Sequence, residues 1–109
     1  MGQLERLEGT CRAMTTPPVS GHTFGMTPDE IDHLVAGNVR ATRARIRMRQ
    51  EDLADRLGWS RPTVTTLEAG TRRVTLADAV ALCTALDIDL TELLRGAPND
   101  VLQILGVKP

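Results

Sequence analysis

The sequence predicts an all-α fold for a single small domain. Apolar residues make up 41% of the 109 residues, but Phe24 and Trp59 are the only aromatic ones, so aliphatic side chains must build the core. Such a composition suits a compact helical bundle. From Ile31 onward the apolar residues recur with helical spacing, and no alternating β-branched run reaches strand length. A sheet is therefore not expected.

The composition also argues against several classes of protein. No apolar segment approaches the roughly 20 residues of a membrane span, and the N-terminus lacks the apolar stretch of a signal peptide. We therefore expect a cytoplasmic protein without a membrane partner. Cys11 and Cys83 are too few for a disulfide framework, and His22 and His33 have no Cys or His at ligand spacing. We expect no metal, no cofactor, no small-molecule ligand and, without a Gly-rich phosphate loop or an HExxH motif, no enzyme.

The two ends of the chain are expected to differ from its middle. Residues 1–26 predict a poorly ordered tail, because Thr, Pro, Gly and Ser dominate residues 15–25. Met26 is an alternative start of the protein. The folded domain is expected over residues 27–96, and a C-terminal helical tail over residues 97–109.

The first helix has a clear N-terminal signal. Residues Thr27 to Glu30 place a hydroxyl at the cap, Pro at the first helical position and Glu three residues after the cap. Helical spacing then continues to about Arg47. The residues on the inward stripe are Ile31, Leu34, Val35, Val39, Thr42 and Ile46. Arg43 falls on the same stripe, where a charge is unexpected.

Residues 50–69 predict two short helices that cross steeply. Gly58 ends the first helix, because Gly readily takes the left-handed conformation at a helix C-terminus. Ser60 can cap the second helix with its hydroxyl, and Pro62 falls in the first turn, where a missing N–H costs little. The residues expected to face inward are Leu53, Leu57, Val64 and Leu67. The interval between the helices is too short for an antiparallel pair, so the pattern predicts a helix-turn-helix.

Further helices are predicted after this motif. Thr75 caps helix 4, with Asp78 three residues on, and Asp89 caps helix 5, which ends at Gly96. The inner face of helix 4 is expected to comprise Leu76, Ala79, Val80, Leu82, Cys83 and Leu86. Residues 98–106 predict a last short amphipathic helix, whose apolar residues are Val101, Leu102, Ile104 and Leu105. These four form either a dimer contact or a lid on the core, and both interpretations stay open.

The net charge of −1 hides a polarised distribution. Between Arg40 and Arg73 nine arginines stand against four acidic residues, whereas the rest of the chain is acidic. All nine cations are Arg, whose planar guanidinium suits bidentate contacts to phosphate or guanine. The alternative is a solvated face in a genome that prefers Arg codons. The coincidence of the charge with residues 50–69 favours a surface for a polyanion.

A series of residues within and after this motif matches a known pattern. Its members are Gln50, Leu53, Ala54, Leu57, Gly58, Val64, Leu67, Glu68 and Gly70, followed by Leu76, Leu82, Leu86, Ile88, Leu93 and Leu94. In these residues the chain resembles the DNA-binding domain of the lambda-repressor, Cro and Xre group of bacterial and phage regulators. The resemblance runs over residues 38–94 and implies a compact five-helix, lambda-repressor-like helix-turn-helix domain. Here the first helix begins earlier than the usual start near Asn38, so it is expected to be extended.

The resemblance also implies a DNA-binding site. Helix 3 would read bases with its outward residues Arg61, Pro62, Thr63, Thr65 and Thr66, and phosphate contacts are implied for Arg49, Gln50, Ser60, Arg72 and Arg73. Arg43 and Glu68 are expected to form a buried ion pair that joins helix 1 to helix 3. The family usually has Thr or Ser where Arg49 stands, so helix 2 lacks that cap. Trp59 stands at an apolar position of the family and is expected in the core.

The function implied by the resemblance is that of a sequence-specific transcriptional regulator. It would bind double-stranded DNA at a palindromic operator as a homodimer. The alternative is an Xre-like antitoxin that binds both its own operator and a partner toxin. A protein-interaction module that has lost DNA binding is a third hypothesis, and it predicts no salt-dependent affinity for duplex.

Overall fold

The computed structural model describes residues 25–107, so most of the expected N-terminal tail, with Cys11 and His22, lies outside the described residues. The described part contains six helices: α1 (Pro28–Arg45), α2 (Gln50–Leu57), α3 (Arg61–Ala69), α4 (Leu76–Leu86), α5 (Leu90–Leu93) and α6 (Asn99–Ile104). Residues 25–107 contain no strand, and the predicted all-α fold is confirmed. None of these helices is long and apolar enough to cross a membrane.

Helix α1 begins with the capping box expected from its sequence. Thr27 Oγ1 accepts a hydrogen bond from Glu30 N at 3.1 Å, and Glu30 Oε1 accepts one from Thr27 N at 2.8 Å. The helix ends at Arg45, earlier than predicted, because Arg47 has a φ of 58° and turns the chain into α2. Ile46 therefore leaves the inward stripe and is 45% exposed.

The helices of the motif are joined by a short turn, as predicted. Gly58 ends α2 with a φ of 71°, and Ser60 Oγ accepts a hydrogen bond from Thr63 N at 3.4 Å at the start of α3. Gly70 ends α3 with a φ of 79°, and a Cβ at this position would lie 2.9 Å from Cδ2 of His33 on α1. Gly70 is therefore required by its backbone conformation and by the close approach of α1.

The core lies where the first five helices meet. Its fully buried large side chains are Val35, Val39, Leu53, Val64, Leu67, Leu82 and Leu93. Helix α1 packs against α3, α4 and α5, and α2 packs against α3 and α4. Helix α3 is thus held from two directions, while its remaining face stays exposed.

Helix α4 buries a narrower face than the sequence predicted. Its capping box is present, since Thr75 Oγ1 accepts from Asp78 N at 3.0 Å and Asp78 Oδ2 accepts from Thr75 N at 3.1 Å. However, Leu76 and Val80, both expected to face inward, are 79% and 61% exposed. Successive residues of an α-helix are offset by about 100°, which places both on the side opposite the buried Leu82. The inward prediction was wrong for these two residues.

Helix α6 divides the four apolar residues whose role the sequence left open. Val101 and Leu102 are 9% and 7% exposed, and Leu102 belongs to the core cluster. Ile104 and Leu105 are 72% and 52% exposed. Val101 and Leu102 are therefore largely covered within this chain. Ile104 and Leu105 remain available.

Candidate nucleic-acid interface

The outward face of α3 presents one arginine and a row of short polar side chains. Arg61, Pro62, Thr65 and Thr66 are exposed, and Thr63 is half-buried. Within residues 25–107 the guanidinium of Arg61 makes no hydrogen bond and no ion pair. Arg61 is the first residue of α3, next to the turn, so its side chain is not covered by a preceding helical turn. The five residues predicted to read bases therefore lie together on one short helix.

The hydroxyl groups of the threonines already use their protons. Thr65 Oγ1 donates to Arg61 O at 3.1 Å, and Thr66 Oγ1 donates to Thr63 O at 2.8 Å. Thr63 Oγ1 lies 2.9 Å from Ser60 Oγ, with one of the two donating. A hydroxyl has a single proton but two lone pairs, so Thr65 and Thr66 present acceptors to solvent. The face thus combines one strong cationic donor, Arg61, with neutral acceptors.

The N-cap residue of α2 is Arg49, whose side chain makes no capping hydrogen bond, but its backbone N–H donates to Asp52 Oδ2 at 3.1 Å. Gln50 Nε2 donates to Glu68 Oε1 at 3.1 Å, so this amide is turned toward α3. Arg49 Nε lies 3.3 Å from Asp52 Oδ2, and both side chains are exposed, at 73% and 43%. Hydrogen bonds from the side chain and backbone of Arg49 lower the pKa of the Asp52 carboxyl below its usual value. The start of α2 therefore carries an exposed arginine that is paired with the Asp52 carboxylate.

A buried ion pair holds α3 against α1. Arg43 Nε lies 2.7 Å from Glu68 Oε2 and Arg43 Nη2 lies 3.0 Å from Glu68 Oε1, while the Glu68 side chain is only 4% exposed. Arg43 Nη1 also donates to Met48 O at 2.9 Å, and Arg40 donates to the carbonyl of Glu68. The hydrogen bond to Glu68 raises the pKa of Arg43. This pair, which the resemblance implied, therefore fixes α3 relative to the turn that leads into α2.

Arg72, predicted to contact phosphate, is engaged within the protein. Its guanidinium lies over the ring of Trp59, 4.8 Å from the centroid, and its Nη2 lies 3.3 Å from Asp78 Oδ1. Its Nε is buried and has no partner in the described part of the chain. Trp59 is half-buried and packs against the core cluster, in agreement with its expected role. Arg72 thus ties the turn of the motif to the first turn of α4.

Arg73 is also paired, with two aspartates of α1. Its Nη2 lies 3.0 Å from Asp29 Oδ1, and its Nη1 lies 3.0 Å from Asp32 Oδ2. Asp32 Oδ1 additionally accepts a hydrogen bond from Val74 N at 2.9 Å. Sequence reasoning missed both aspartates, although the buried Asp32 follows the apolar Ile31 directly and so interrupts the inward stripe.

The arginine-rich segment therefore contains fewer available cations than its composition indicates. Arg45, Arg47 and Arg61 are the arginines of this segment whose side chains have neither a hydrogen bond nor an ion pair within residues 25–107, and all three are exposed. Arg45 and Arg47 precede the N-terminus of α2. Both contribute to the positive charge between residues 40 and 73, but the sequence predicted no DNA contact for either. Among the described residues no cluster of His, Cys, Asp or Glu could hold a metal ion.

Comparison with known proteins agrees with this geometry. A family model described as a helix-turn-helix domain matches residues 34–95. The uncharacterized HTH-type transcriptional regulator YqaE of Bacillus subtilis (strain 168) is 32% identical over 63 residues, which are 58% of this chain. The chain spans only 54% of the length of that relative.

Solved structures show the same fold. The restriction-modification controller protein C.AhdI from Aeromonas hydrophila is 35% identical, with a TM-score of 0.54 over 57% of this chain and 94% of that chain. The hypothetical transcription factor NHTF from Neisseria is 23% identical, with a TM-score of 0.57 over 82% of this chain and 97% of that chain. On the family match, which covers more than half of the residues, this chain belongs to the helix-turn-helix domain family, in its Xre-type group.

Proposed function

We propose that this protein is a transcriptional regulator that binds duplex DNA and reads its sequence with α3. The observation that carries the proposal is Arg61, whose exposed guanidinium has no partner among the described residues and stands at the start of a helix whose other face is held by the Arg43–Glu68 pair. A cation left unbonded on a rigidly held helix is ready to bind without first losing internal partners. Arg is the side chain that most often recognises guanine, through bidentate hydrogen bonds in the major groove.

The remaining side chains of α3 supply the rest of the readout. Because Thr65 and Thr66 donate their protons to the helix backbone, their lone pairs suit the exocyclic amines of adenine or cytosine. Thr63 is half-buried and hydrogen-bonded to Ser60, so it contributes at the edge of the contact. Pro62 offers only van der Waals contact, for which a thymine methyl is a fitting partner.

Phosphate contacts come from the segment that precedes α2. The N–H groups in the first turn of this helix receive no capping bond from the Arg49 side chain and favour an anion, as does the helix dipole. Arg45, Arg47 and Arg49 precede that end in the sequence and are exposed. Ser60, at the matching end of α3, is a further candidate. Together these groups would set the register of α3 in the groove without reading bases.

A homodimer on a palindromic site accounts for a second surface feature. Leu76 and Leu105 line one apolar groove, and Ile104 lines the groove next to it. All three side chains are more than half exposed. Exposed apolar patches of this kind often mark protein interfaces. A second copy joined here would present two α3 helices to half-sites about 34 Å apart.

Selection of bound duplexes from a randomised DNA library, at near-physiological salt, tests the regulator. Enrichment of a palindrome with a guanine in each half-site is expected, and Arg61→Ala should lose the preference at that position. No enrichment over the starting library would overturn the proposal of a sequence-specific regulator.

Light scattering of Leu105→Asp tests the dimer. The variant should be folded and monomeric, whereas Gln103→Asp, a change at an exposed position of the same helix, should leave the dimer intact. A dimeric Leu105→Asp would place the interface elsewhere. Copurification of a toxin-sized protein that Leu105→Asp abolishes would favour the antitoxin alternative.

A further inference from the structure

We propose that Asp29 sets the DNA affinity of this protein by competing with a backbone phosphate for one side of the Arg73 guanidinium. The inference rests on the proposed function, since it concerns how tightly the same surface holds DNA. It assigns a role to the first turns of α1, which lie before residue 34, where the family match begins.

The two aspartates that hold Arg73 differ in their surroundings. The Asp32 side chain is 6% exposed, and its second oxygen accepts a hydrogen bond from Val74 N. The Asp29 side chain is 81% exposed, and among the described residues its carboxylate receives a bond from Arg73 alone. Asp32 is therefore a fixed anchor for the loop, whereas Asp29 can leave Arg73 at little cost because water replaces the contact.

The two nitrogens of Arg73 consequently have different roles. Its Nη1 stays with Asp32, which orients the guanidinium, and its Nη2 faces Asp29 at 3.0 Å. A phosphate oxygen and the Asp29 carboxylate are both anionic acceptors, so they compete for Nη2. The side chain of Arg73 is 57% exposed, and the residue lies three positions after Gly70, where α3 ends. The guanidinium is thus close in sequence to the reading helix and accessible.

The electrostatic balance gives the sign of the effect. In the free protein two carboxylates surround one guanidinium, so this part of the loop carries a net negative charge and repels DNA. Neutralising Asp29 leaves one cation facing one fixed anion and opens Nη2 to phosphate. The variant Asp29→Asn should therefore bind duplex more tightly, and it should do so on all sequences, because phosphate carries no sequence information.

The experiment is a double-mutant cycle of Asp29→Asn and Arg73→Ala in the full chain, with affinity for the selected operator and for a random duplex measured from 50 to 200 mM salt. One added phosphate contact makes the slope of log affinity against log salt steeper by up to about 0.9. Between 50 and 200 mM salt, this extra slope corresponds to a further loss of affinity of roughly threefold. Asp29→Asn should show this steeper slope with both duplexes. In the Arg73→Ala background the same substitution should have no effect.

Asp87→Asn is the matched control. It changes the net charge by the same amount and lies at an exposed position with a φ of 55° that Asn tolerates. Within residues 25–107 Arg73 forms its ion pairs with Asp29 and Asp32, not with Asp87. Its affinity and salt slope should equal those of the wild type. Circular dichroism checks that each variant is folded.

The outcomes separate this inference from the proposed function. An Asp29→Asn effect that persists with Arg73→Ala, or that Asp87→Asn reproduces, would show general charge repulsion and overturn the competition. Unchanged or weaker binding by Asp29→Asn would also overturn it, while specific binding that depends on Arg61 would leave the proposed function standing. If the wild-type chain binds no duplex, both fail together.

Discussion

Arginines at the two ends of α3 are in opposite states. Arg61, at its start, has an exposed guanidinium that is unpaired within residues 25–107, whereas Arg72 and Arg73, in the loop after it, are both bonded to aspartates. These aspartates come from α1 and α4, so composition around the motif does not reveal the difference. A cluster of positive residues therefore overstates the charge that DNA can use. The expectation that follows is that unpaired arginines act on DNA binding and paired ones act mainly on the fold, except where one partner is exposed and can be displaced, as Asp29 can be from Arg73.

Among the paired arginines, the largest effect is expected when Arg43 loses its partner Glu68. Glu68→Gln keeps the shape of the side chain but leaves the half-buried Arg43 without its opposite charge. Losing one partner of a buried pair typically lowers the free energy of unfolding by about 3–5 kcal/mol. Urea denaturation, followed by the fluorescence of Trp59, measures this loss.

Glu51→Gln is the control for that substitution, since Glu51 is an exposed acid at the start of α2. It should change the free energy of unfolding by no more than about 0.5 kcal/mol. If Glu68→Gln were as mild as Glu51→Gln, the ion pair would not be what fixes α3 on α1.

The unpaired class should give its largest effect at Arg61. Arg61→Ala should reduce discrimination at one base pair by about 1–3 kcal/mol and leave the thermal stability unchanged, because no internal contact is lost. Competition binding with operators altered at single positions gives the readout. Unchanged selectivity would remove Arg61 from base readout, and a marked loss of stability would show that it was not free of the fold.

What the sequence predicts well is what lies close together in it. The caps at Thr27, Ser60, Thr75 and Asp89 each depend on a residue three positions later, and all four are present. The left-handed Gly58 follows from the same local logic. The Arg43–Glu68 pair spans 25 residues, and only the resemblance to a family indicated it.

Contacts between segments that are distant in the sequence could not be predicted from it. Asp29 and Arg73 are 44 residues apart, and nothing in either local sequence shows that α1 reaches the loop after α3. The prediction of the inner face of α4 was wrong for another reason. Apolar residues lie on nearly every side of it, so spacing alone does not distinguish the exposed Leu76 and Val80 from the buried Leu82.

Arg72 is the residue for which a phosphate-contacting role and a structural role predict the most different results. The resemblance implied a phosphate contact for Arg72, whereas its contacts with Trp59 and Asp78 tie it to the fold. Arg72→Ala should lower the free energy of unfolding by about 1–2 kcal/mol, from the lost cation–π contact and ion pair. The emission of Trp59 should change as well, because one ring face becomes solvated.

Arg72→Lys separates charge from stacking in that test. A Lys keeps the positive charge but not the planar group that lies over the indole, so it should recover only part of the stability. If Arg72→Ala instead flattened the salt dependence of DNA binding and left the free energy of unfolding unchanged, Arg72 would be a phosphate-contacting residue.

The smallest effects are expected at Arg45 and Arg47, which test whether unpaired arginines outside α3 also act on DNA. Both arginines are replaced with Gln. Arg47 has a φ of 58°, and because Gln carries a Cβ as Arg does, the substitution leaves the backbone strain there unchanged. Each lost phosphate contact should flatten the plot of log affinity against log salt by about 0.9, equally for operator and random duplex. Thermal stability should not change, since neither guanidinium has a partner within residues 25–107. A stability loss without a change in salt slope would mean that an unpaired arginine is no guide to the DNA-binding surface, and the division between the two classes would then hold for Arg61 alone.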